Sequence, residues 1–331
     1  MTTVREVRLR SYPVGAPSNA NFDIAEGQLP PLRAGEVRVR NLWLSVDPFV
    51  RLRMQAHTAF SLPLGETIPG ATIGEVAASK DPAFEAGDLV QSDFGWREGF
   101  VAEASRLRKL DAMGLPPQVF LGAAGLSGLT AYVGLLRTAA LTDGDIVFVS
   151  GGAGAVGSMA VQIAKARGHT VIASAGGPEK AAFLREIGAD EAIDYKAEAD
   201  LTAALGRAAP SGIDVYFDNV GGSHLQAAIE VARPSAKIAL CGQISTYNAI
   251  EPQPGPSNLI QVILKQIRME GFALARHMDL QAAFLRDLAG WVRAGKLTWK
   301  ETVFEGIETA PGAFLALFSG GNLGKTLVKL A

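Results

Sequence analysis

Two patterns of hydrophobic and polar positions divide the chain at about residue 122. Before it, segments such as Glu36–Leu42 alternate polar and apolar residues, which is typical of half-buried strands. Turn signals such as Pro69-Gly70 follow at short intervals, and Gly74–Ala77 and Asp88–Val90 predict further short strands. We therefore predict a compact antiparallel β-barrel in this part of the chain.

After residue 122, apolar runs that predict buried strands alternate with stretches that predict helices. The segment Ala123–Leu136 is rich in small residues and predicts the first helix. The strands that follow are predicted at Ile146–Val149, Thr170–Ser174, Ala192–Tyr195, Asp214–Val220, Lys237–Cys241 and Arg268–Leu274, and the helices at Ser158–Gly168, Pro178–Ile187, Asp200–Ala209 and Leu280–Ala294. This order is typical of a doubly wound parallel sheet in an α/β protein.

The tail of the chain, from about Thr298, returns to turns and short strands. If it rejoins the first part, the parallel sheet is an insertion. We therefore predict one domain made of residues 1–122 plus 298–331 and a second, inserted domain made of residues 123–297.

A glycine-rich turn joins the first strand of the second domain to its helix. Gly152, Gly154 and Gly157 fit the pattern G-x-G-x-x-G after Val149. In this pattern Gly152 makes the sharp turn, Gly154 lets the backbone approach a pyrophosphate, and Gly157 lets the helix lie close to the strand. The start of the helix presents free N–H groups to phosphates. The turn therefore predicts a dinucleotide-binding site.

The end of the second strand favours NADP over NAD. Proteins that bind NAD usually place Asp or Glu there, on the ribose 2′-hydroxyl. Here the strand ends Ser174-Ala175-Gly176-Gly177, and Lys180 follows at the start of a helix. A small hydroxyl and a lysine accept a 2′-phosphate, and one charge-assisted hydrogen bond is worth about 1.5–3 kcal/mol, roughly a 10- to 100-fold preference.

Composition and charge exclude several other functions. Lys plus Arg number 31 and Asp plus Glu 33 among 331 residues, a formal net charge of −2, and no basic block suits a nucleic acid. Without an apolar signal core or a run near the roughly 18 residues of a membrane span, we expect a cytoplasmic protein. Cys241 is the single cysteine, and the four histidines are scattered, so we predict no bound metal.

Several phrases of the sequence resemble the medium-chain dehydrogenase/reductase superfamily. They are Leu44–Pro48, Gly128–Tyr132, Gly152–Ser158, Tyr216–Gly222, Cys241–Asn248 and Asn322–Thr326. They narrow the resemblance to the zinc-independent prostaglandin reductase, or leukotriene B4 12-hydroxydehydrogenase, branch, with its alkenal double-bond reductases and curcumin-reductase-like enzymes. The resemblance implies a Rossmann domain inserted into a GroES-like antiparallel β-barrel domain, and a homodimer.

The resemblance also implies contacts with NADP at matching positions. The pyrophosphate would lie on Ala153–Val156, the 2′-phosphate and adenosine near Lys180 and Tyr195, and a ribose on Asn219. The complete predicted cofactor set is Gly152, Ala153, Gly154, Ala155, Val156, Gly157, Ser174, Lys180, Tyr195, Asn219, Cys241, Gly242, Gln243, Ile244, Ser245, Thr246, Tyr247, Phe272, Ala273, Leu274 and Asn322. In this set Cys241–Tyr247 would run beneath the nicotinamide, with Phe272–Leu274 on the sixth strand and Asn322 approaching from the tail. Sheet packing is the alternative explanation for Tyr195, Phe272 and Leu274, and turn formation for Asn219 and Asn322.

The chemistry implied by the resemblance is reduction of a C=C bond conjugated to a carbonyl. Hydride reaches the β-carbon, an enolate forms, and solvent protonates the α-carbon, so the protein aligns the partners and supplies a donor to the oxyanion. Our candidate donor is the Tyr247 hydroxyl, acting directly or through the nicotinamide ribose 2′-hydroxyl; alternatively, Tyr247 only packs against the cofactor. Ser45 and Asp47 occupy the loop where zinc-dependent relatives place a ligand cysteine.

Two departures from the family bear on the substrate. Phe49 and Leu264 stand where relatives carry tyrosine, which removes hydroxyls from the expected pocket and argues against a carboxylate-bearing, prostaglandin-like substrate. Two alternative functions stay open at this point: a quinone reductase of the same superfamily, and a non-catalytic NADPH-binding sensor or structural protein.

Overall fold

The structure is a computed structural model, and it describes residues 2–330. The strands, in chain order, are β1 (Thr3–Leu9), β2 (Phe22–Gln28), β3 (Glu36–Ser45), β4 (Thr72–Ser79), β5 (Leu89–Ser92), β6 (Gly99–Glu103), β7 (Arg108–Lys109), β8 (Ile146–Val149), β9 (Thr170–Ala175), β10 (Glu191–Asp194), β11 (Ile213–Asp218), β12 (Ala232–Leu240), β13 (Arg268–Gly271), β14 (Glu301–Glu305) and β15 (Lys325–Lys329).

The helices are α1 (Val50–Arg53), α2 (Leu126–Val133), α3 (Ala155–Ala166), α4 (Pro178–Glu186), α5 (Leu201–Ala208), α6 (Gly222–Val231), α7 (Ile260–Leu264), α8 (Gln281–Arg293) and α9 (Ala310–Ser319). A π-helical turn, Gly134–Thr138, continues α2. Within residues 2–330, no helix has both the length and the apolar character needed to span a bilayer.

The chain divides into two compact units. One runs up to Leu121 and resumes at Glu301, and the other is Gly122–Lys300. The functional assignment of the two units, one to the substrate and one to the cofactor, stays a prediction.

The second unit contains a six-stranded parallel sheet, which confirms the predicted doubly wound α/β fold. Its strand order is β10-β9-β8-β11-β12-β13. From β8, the next two strands, β9 and β10, are added on one side. The chain then crosses to the other side of β8, where β11, β12 and β13 are added in turn. Beyond the carboxyl ends of β8 and β11 the sheet therefore has its switch point, where such folds bind ligands.

Apolar side chains on β8 and β11 form the centre of this sheet's core. Phe148 and Tyr216 are paired in register and stack with ring centroids 5.0 Å apart. Both are buried together with Ile172 and Ile238 on the flanking strands. Because both faces are covered by helices, β8 and the middle of β11, Val215–Phe217, do not alternate between polar and apolar residues.

The first unit is built on a seven-stranded, mostly antiparallel sheet of order β14-β15-β3-β4-β5-β7, with β6 paired to β3, and on the hairpin β1-β2. The predicted strands around Glu36–Leu42, Gly74–Ala77 and Asp88–Val90 are present. The pair β14-β15 is parallel, which the sequence did not predict. Phe22, Trp96 and Phe314 pack together in the core, with ring centroids 5.8–6.3 Å apart.

The tail carries a helix, α9, where the sequence analysis expected only turns and short strands. Pro311-Gly312 is a common turn signal, but Pro311 lies in the first turn of the helix, where its missing N–H costs nothing. Gly320 ends the helix in the left-handed conformation, with φ of 79°. Phe314 on α9 reaches the core of the first unit, so burial of its apolar face stabilises the helix.

Two other predicted elements have different bounds. The sixth strand, β13, ends at Gly271, so Phe272, Ala273 and Leu274 lie beyond it rather than on it. The helix expected over Ala123–Leu136 begins only at Leu126 and changes to the π-helical turn at Gly134. At this turn a Cβ on Gly134 would collide with the rings of Phe217 and Phe272, so a glycine is needed for these rings to pack here.

Candidate cofactor-binding site

The glycine-rich turn between β8 and α3 packs closely against its own backbone. Gly151, with φ of 59°, makes the sharp bend, one residue before the predicted Gly152. Gly152 is instead needed for packing, because a Cβ there would lie 2.8 Å from Leu184 Cδ2. A Cβ on Gly157 would collide with the Gly151 carbonyl, so the helix lies against the turn as predicted.

The first turn of α3 fits a phosphate. Gly154 is the cap residue, with an extended backbone, and no side chain caps the helix. A Cβ on Gly154 would contact only the Gly151 carbonyl, at 3.3 Å, so this side of the turn is open. Gly154, Ala155 and Val156 are half-buried, whereas Ala153 is buried. The free N–H groups of this turn therefore suit a pyrophosphate.

A buried hydrogen-bond network fixes the loop that follows β11. The Tyr216 hydroxyl donates to Asp218 Oδ1 at 2.6 Å and lies 2.9 Å from Ser150 Oγ. The backbone N–H groups of Val220 and Gly221 donate to the same Asp218 oxygen, at 2.9 and 2.8 Å. These side chains are buried at the switch point of the sheet, and the sequence analysis did not identify the network.

Asn219 joins this loop to the glycine-rich turn. Its backbone N–H donates to Ser150 Oγ at 3.1 Å, and its Nδ2 donates to the Ser150 carbonyl at 2.8 Å. A Cβ on Gly151 would lie 3.5 Å from Asn219 Cβ. The two loops thus form one surface, and the contact of Asn219 with a ribose stays a prediction.

Burial controls the ionisation of this network. Burial raises the pKa of Asp218 despite four hydrogen bonds that favour its charged form, and raises the pKa of Tyr216 well above its ordinary value. Asp218 Oδ2 has no hydrogen-bond partner in the described part of the chain. Burial, and secondarily the Asp218 charge, raise the pKa of Cys241 to about 12, so this residue is a thiol at neutral pH.

The predicted nicotinamide segment, Cys241–Tyr247, directly follows β12 and is held by the β11 loop. The backbone N–H groups of Cys241 and Gly242 donate to the Asp218 carbonyl at 2.9 and 3.0 Å. Ser245 donates from Oγ to the Val220 carbonyl at 2.5 Å. The carboxyl ends of β11 and β12 therefore form one continuous surface beside the glycine-rich turn.

The Tyr247 side chain folds back over this surface. A Cβ on Gly242 would lie 3.3 Å from Tyr247 Oη, so the phenol lies against the glycine backbone. Burial is the main cause that raises the pKa of Tyr247. The phenol therefore keeps its proton at neutral pH, as a hydrogen-bond donor must. Its catalytic role stays a prediction.

A second cluster surrounds Gly176, beyond the ends of β9 and β10. A Cβ on Gly176 would lie 3.0 Å from Tyr195 Oη and 2.9 Å from Lys196 Cε. Lys180 is half-buried, and burial followed by repulsion from Lys196 lowers its pKa. The predicted residues Lys180 and Tyr195 are thus brought together with Lys196, which the sequence analysis missed although it directly follows Tyr195. Ser174 differs, because it is completely buried and its hydroxyl has no partner among residues 2–330.

The residues after β13 are held by aromatic packing. Phe272 packs edge-on against Phe217 and His277, with ring centroids 6.3 and 6.5 Å apart. Ala273 has an extended backbone, and Leu274 begins a short 3-10 turn. The contacts of these three residues with the cofactor stay predictions.

Asn322 belongs to the first unit, between α9 and β15. Its Nδ2 donates to the Gly324 carbonyl at 3.4 Å, a weak contact within its own turn. Its predicted approach to the cofactor stays a prediction.

Asp47 is paired with Lys325, a buried residue that the sequence analysis did not single out. Lys325 Nζ donates to Asp47 Oδ1 at 2.6 Å and to the Val46 carbonyl at 3.1 Å, and the Ser45 hydroxyl donates to Asp47 Oδ2. Within residues 2–330, no three or more His, Cys, Asp or Glu side chains are grouped to hold a metal ion.

Two family models match the chain. The one described as the N-terminal domain of oxidoreductase matches residues 5–110, and the one described as zinc-binding dehydrogenase matches residues 155–289. The chain is 41% identical to prostaglandin reductase 1 of Rattus norvegicus, over 99% of this chain and 100% of the relative. It is 38% identical to the NADP(+)-dependent 2-alkenal reductase of Nicotiana tabacum, over 99% and 97%.

The chain belongs to the prostaglandin reductase branch of the medium-chain dehydrogenase/reductase superfamily. Its fold also matches the crystal structure of CurA in complex with NADPH from Vibrio vulnificus, with a TM-score of 0.93, 37% identity and 99% coverage of both chains. The predicted family is therefore confirmed. Within this branch, Phe49 and Leu264 are the predicted departures, and both side chains are largely exposed.

Proposed function

We propose that this reductase-family protein uses NADPH to reduce the C=C bond of α,β-unsaturated ketones and aldehydes. The observation that carries the proposal is a set of groups at the carboxyl edge of the parallel sheet. An open helix start and a protonated phenol at Gly242 lie at the switch point, and the Gly176 cluster with its two lysines lies beyond β9 and β10. Relatives named for alkenal and curcumin reduction, at 38% and 35% identity over nearly the whole chain, support this activity.

In the proposed reaction some of these residues bind the cofactor and one donates a hydrogen bond to the substrate. When bound, NADPH supplies the hydride that the substrate accepts at its β-carbon. The first turn of α3 binds the pyrophosphate, and Lys180 with Lys196 bind the 2′-phosphate. Tyr247 donates a hydrogen bond to the substrate carbonyl oxygen as negative charge develops there, which lowers the barrier to hydride transfer. Solvent protonates the α-carbon.

We propose that the reaction needs no metal. At the position of the zinc-ligand loop, Asp47 is bonded both to Lys325 and to the Ser45 hydroxyl, and a cation so close to the carboxylate opposes a second one. A hydrogen-bond donor is enough to stabilise the negative charge of an enolate, whereas alcohol oxidation in zinc relatives requires a Lewis acid.

We also propose a homodimer formed through the edge of the parallel sheet. β13 is an edge strand, and the adjacent helix α7 exposes Ile260, Ile263 and Leu264 to solvent. An unpaired strand edge beside exposed apolar residues is a common site of self-association. A cytoplasmic location stays a prediction.

The substrate we propose is an uncharged enone or enal with an apolar tail. Phe49, which replaces the family's tyrosine, is 61% exposed, and Leu264 is 69% exposed. Apolar side chains at both positions offer no hydrogen-bond donor to a substrate carboxylate. They therefore do not increase the affinity for a fatty-acid-like substrate.

The decisive experiment is a product assay with 3-nonen-2-one. NADPH and NADH are compared, with and without EDTA, and the organic product is identified by gas chromatography. We expect the saturated ketone, a preference for NADPH, and no effect of EDTA. Conversion of a quinone to its quinol without any enone reduction would favour the quinone reductase alternative. NADPH binding without turnover of enones, enals or quinones would favour the sensor.

A further inference from the structure

His224 is a buried histidine whose polar atom has no structural explanation. It lies in the first turn of α6, is only 3% exposed, and its Nε2 has no hydrogen-bond partner in the part of the chain that the structure describes. Burial lowers its pKa to about 4, so the ring is uncharged at neutral pH. The contact that His224 makes in the Gly176 cluster is therefore through its ring rather than through Nε2.

The ring of His224 supports Tyr195. The two rings form a T-shaped pair, with centroids 4.9 Å apart and an interplanar angle of 81°. Tyr195 needs such support because it directly follows β10, the edge strand of the sheet, and is 37% exposed. Its hydroxyl reaches Gly176, beside Lys196.

The position of the Tyr195 hydroxyl fixes the shape of the Gly176 cluster. Both Tyr195 and Lys196 approach the same glycine, and Lys196 in turn lies close enough to Lys180 to affect its pKa. A tyrosine ring free to turn about its side-chain bonds would place its hydroxyl at many points around the cluster. A ring held edge to face against His224 keeps one orientation.

We propose that His224 is a positioning residue for cofactor selectivity: its ring orients Tyr195 so that the tyrosine hydroxyl, with Lys180 and Lys196, recognises a ribose 2′-phosphate. The proposal rests on the NADPH-binding role of this cluster. It requires an aromatic ring at position 224 rather than an imidazole nitrogen, and it assigns no contact between His224 and the cofactor.

The test is calorimetric titration of the purified full-length protein with adenosine 2′,5′-bisphosphate and with adenosine 5′-monophosphate. We expect His224→Ala to weaken binding of the bisphosphate by about tenfold, the size of one lost polar contact, and to leave the monophosphate within about twofold. His224→Phe should restore the wild-type preference, and His224→Leu, which fills the space without a ring, should not. A merely structural role would weaken both ligands equally.

If His224→Ala folds poorly, a double-mutant cycle of His224→Leu with Tyr195→Ala tests the same proposal. In the Tyr195→Ala background, His224→Leu should no longer change the ratio of the two affinities, because the residue it orients is gone. Equal loss of both ligands, an unchanged ratio in His224→Leu, or failure of His224→Phe to restore the ratio would overturn the proposal. If the wild-type protein itself does not distinguish the two ligands, the NADPH site is wrong, and the role of His224 is rejected with it.

Discussion

The hydroxyl of Tyr216 donates a 2.6 Å hydrogen bond to Asp218 Oδ1, two residues further along β11. The pair lies on one face of the strand, and the same carboxylate oxygen accepts the N–H groups of Val220 and Gly221. A core side chain therefore holds the backbone that forms one wall of the proposed cofactor site. We therefore expect stability and cofactor binding to be coupled at this point of the sheet.

We expect Tyr216→Phe to lower the free energy of unfolding by about 1–3 kcal/mol, because a buried carboxyl loses a donor. We also expect it to weaken NADPH binding, since the loop after β11 loses part of its support. Urea unfolding and a fluorescence titration with NADPH measure the two effects.

Tyr132→Phe is the matched control for Tyr216→Phe. The Tyr132 hydroxyl donates to Asp287 Oδ2 at 2.7 Å, so this variant also removes a tyrosine–aspartate bond in the same unit. It should cost some stability and leave the dissociation constant of NADPH unchanged. Equal effects of the two variants on NADPH binding would contradict the coupling.

The two lysines of the Gly176 cluster should both select NADPH over NADH. We expect Lys180→Ala and Lys196→Ala each to raise the dissociation constant of NADPH about 10- to 100-fold, with little change for NADH. Lys296→Ala, which removes an exposed lysine of the same unit, serves as the control. Loss of NADH affinity to the same extent would show that the lysines act on the fold rather than on the 2′-phosphate.

The pH dependence of NADPH binding should report the repulsion between these lysines. Burial and the neighbouring Lys196 lower the pKa of Lys180, so its positive charge is present below that pKa and is lost as the pH rises through it. NADPH affinity should therefore decline with rising alkaline pH. In Lys196→Ala the repulsion is gone, the pKa of Lys180 rises, and this decline should begin at a higher pH; titrations between about pH 7 and 10.5 measure it. An unchanged midpoint would contradict the repulsion.

Most elements of the second unit could be predicted because each carries a local signal, although α6 and α7 were not predicted. Ile146–Val149 is a short apolar run that ends in glycines, and Pro178 marks the start of α4. The helix α9 was not predicted. Pro311-Gly312 is typical of a turn, but burial of Phe314 stabilises a helix in this segment. Tertiary packing decides such cases, and it is not visible in a ten-residue window.

The candidate site was predictable where it depends on motifs and not where it depends on contacts between distant segments. The glycine pattern located the turn, but it did not show that the bend lies at Gly151 or that Gly152 packs against Leu184. Lys196 directly follows Tyr195 and was within reach of the sequence, whereas His224 contacts Tyr195 only because the end of β10 and the start of α6 lie near each other in space. No spacing along the chain encodes that proximity.

Cys241 should resist alkylation in the folded protein. Its pKa is raised to about 12 from an ordinary value of 9.0, so the thiolate fraction at pH 8 falls by about three orders of magnitude. Labelling with iodoacetamide, followed by mass spectrometry, should be slow in the native protein and fast in 6 M guanidinium chloride. Rapid native labelling would mean that the thiol of this half-buried residue ionises readily, contrary to its raised pKa.

Tyr247→Phe should separate catalysis from packing. The variant keeps the ring that lies over Gly242 and removes only the hydroxyl. If the hydroxyl stabilises the developing enolate, kcat for 3-nonen-2-one should fall by about 10²- to 10³-fold, as for loss of one oxyanion donor, while the dissociation constant of NADPH stays within about twofold. Single-turnover measurements of NADPH oxidation report the hydride step directly.

The pH profile gives an independent check on Tyr247. Burial raises its pKa, so the phenol keeps its proton at neutral and mildly alkaline pH, and loss of activity there should not follow from its ionisation. Tyr195→Phe provides the contrast, because it removes a hydroxyl at the other end of the site and should change NADPH affinity rather than kcat. If Tyr247→Phe retains the wild-type single-turnover rate, the ring only packs against the cofactor, and the oxyanion donor must be sought in the nicotinamide ribose or in the substrate's own solvent shell.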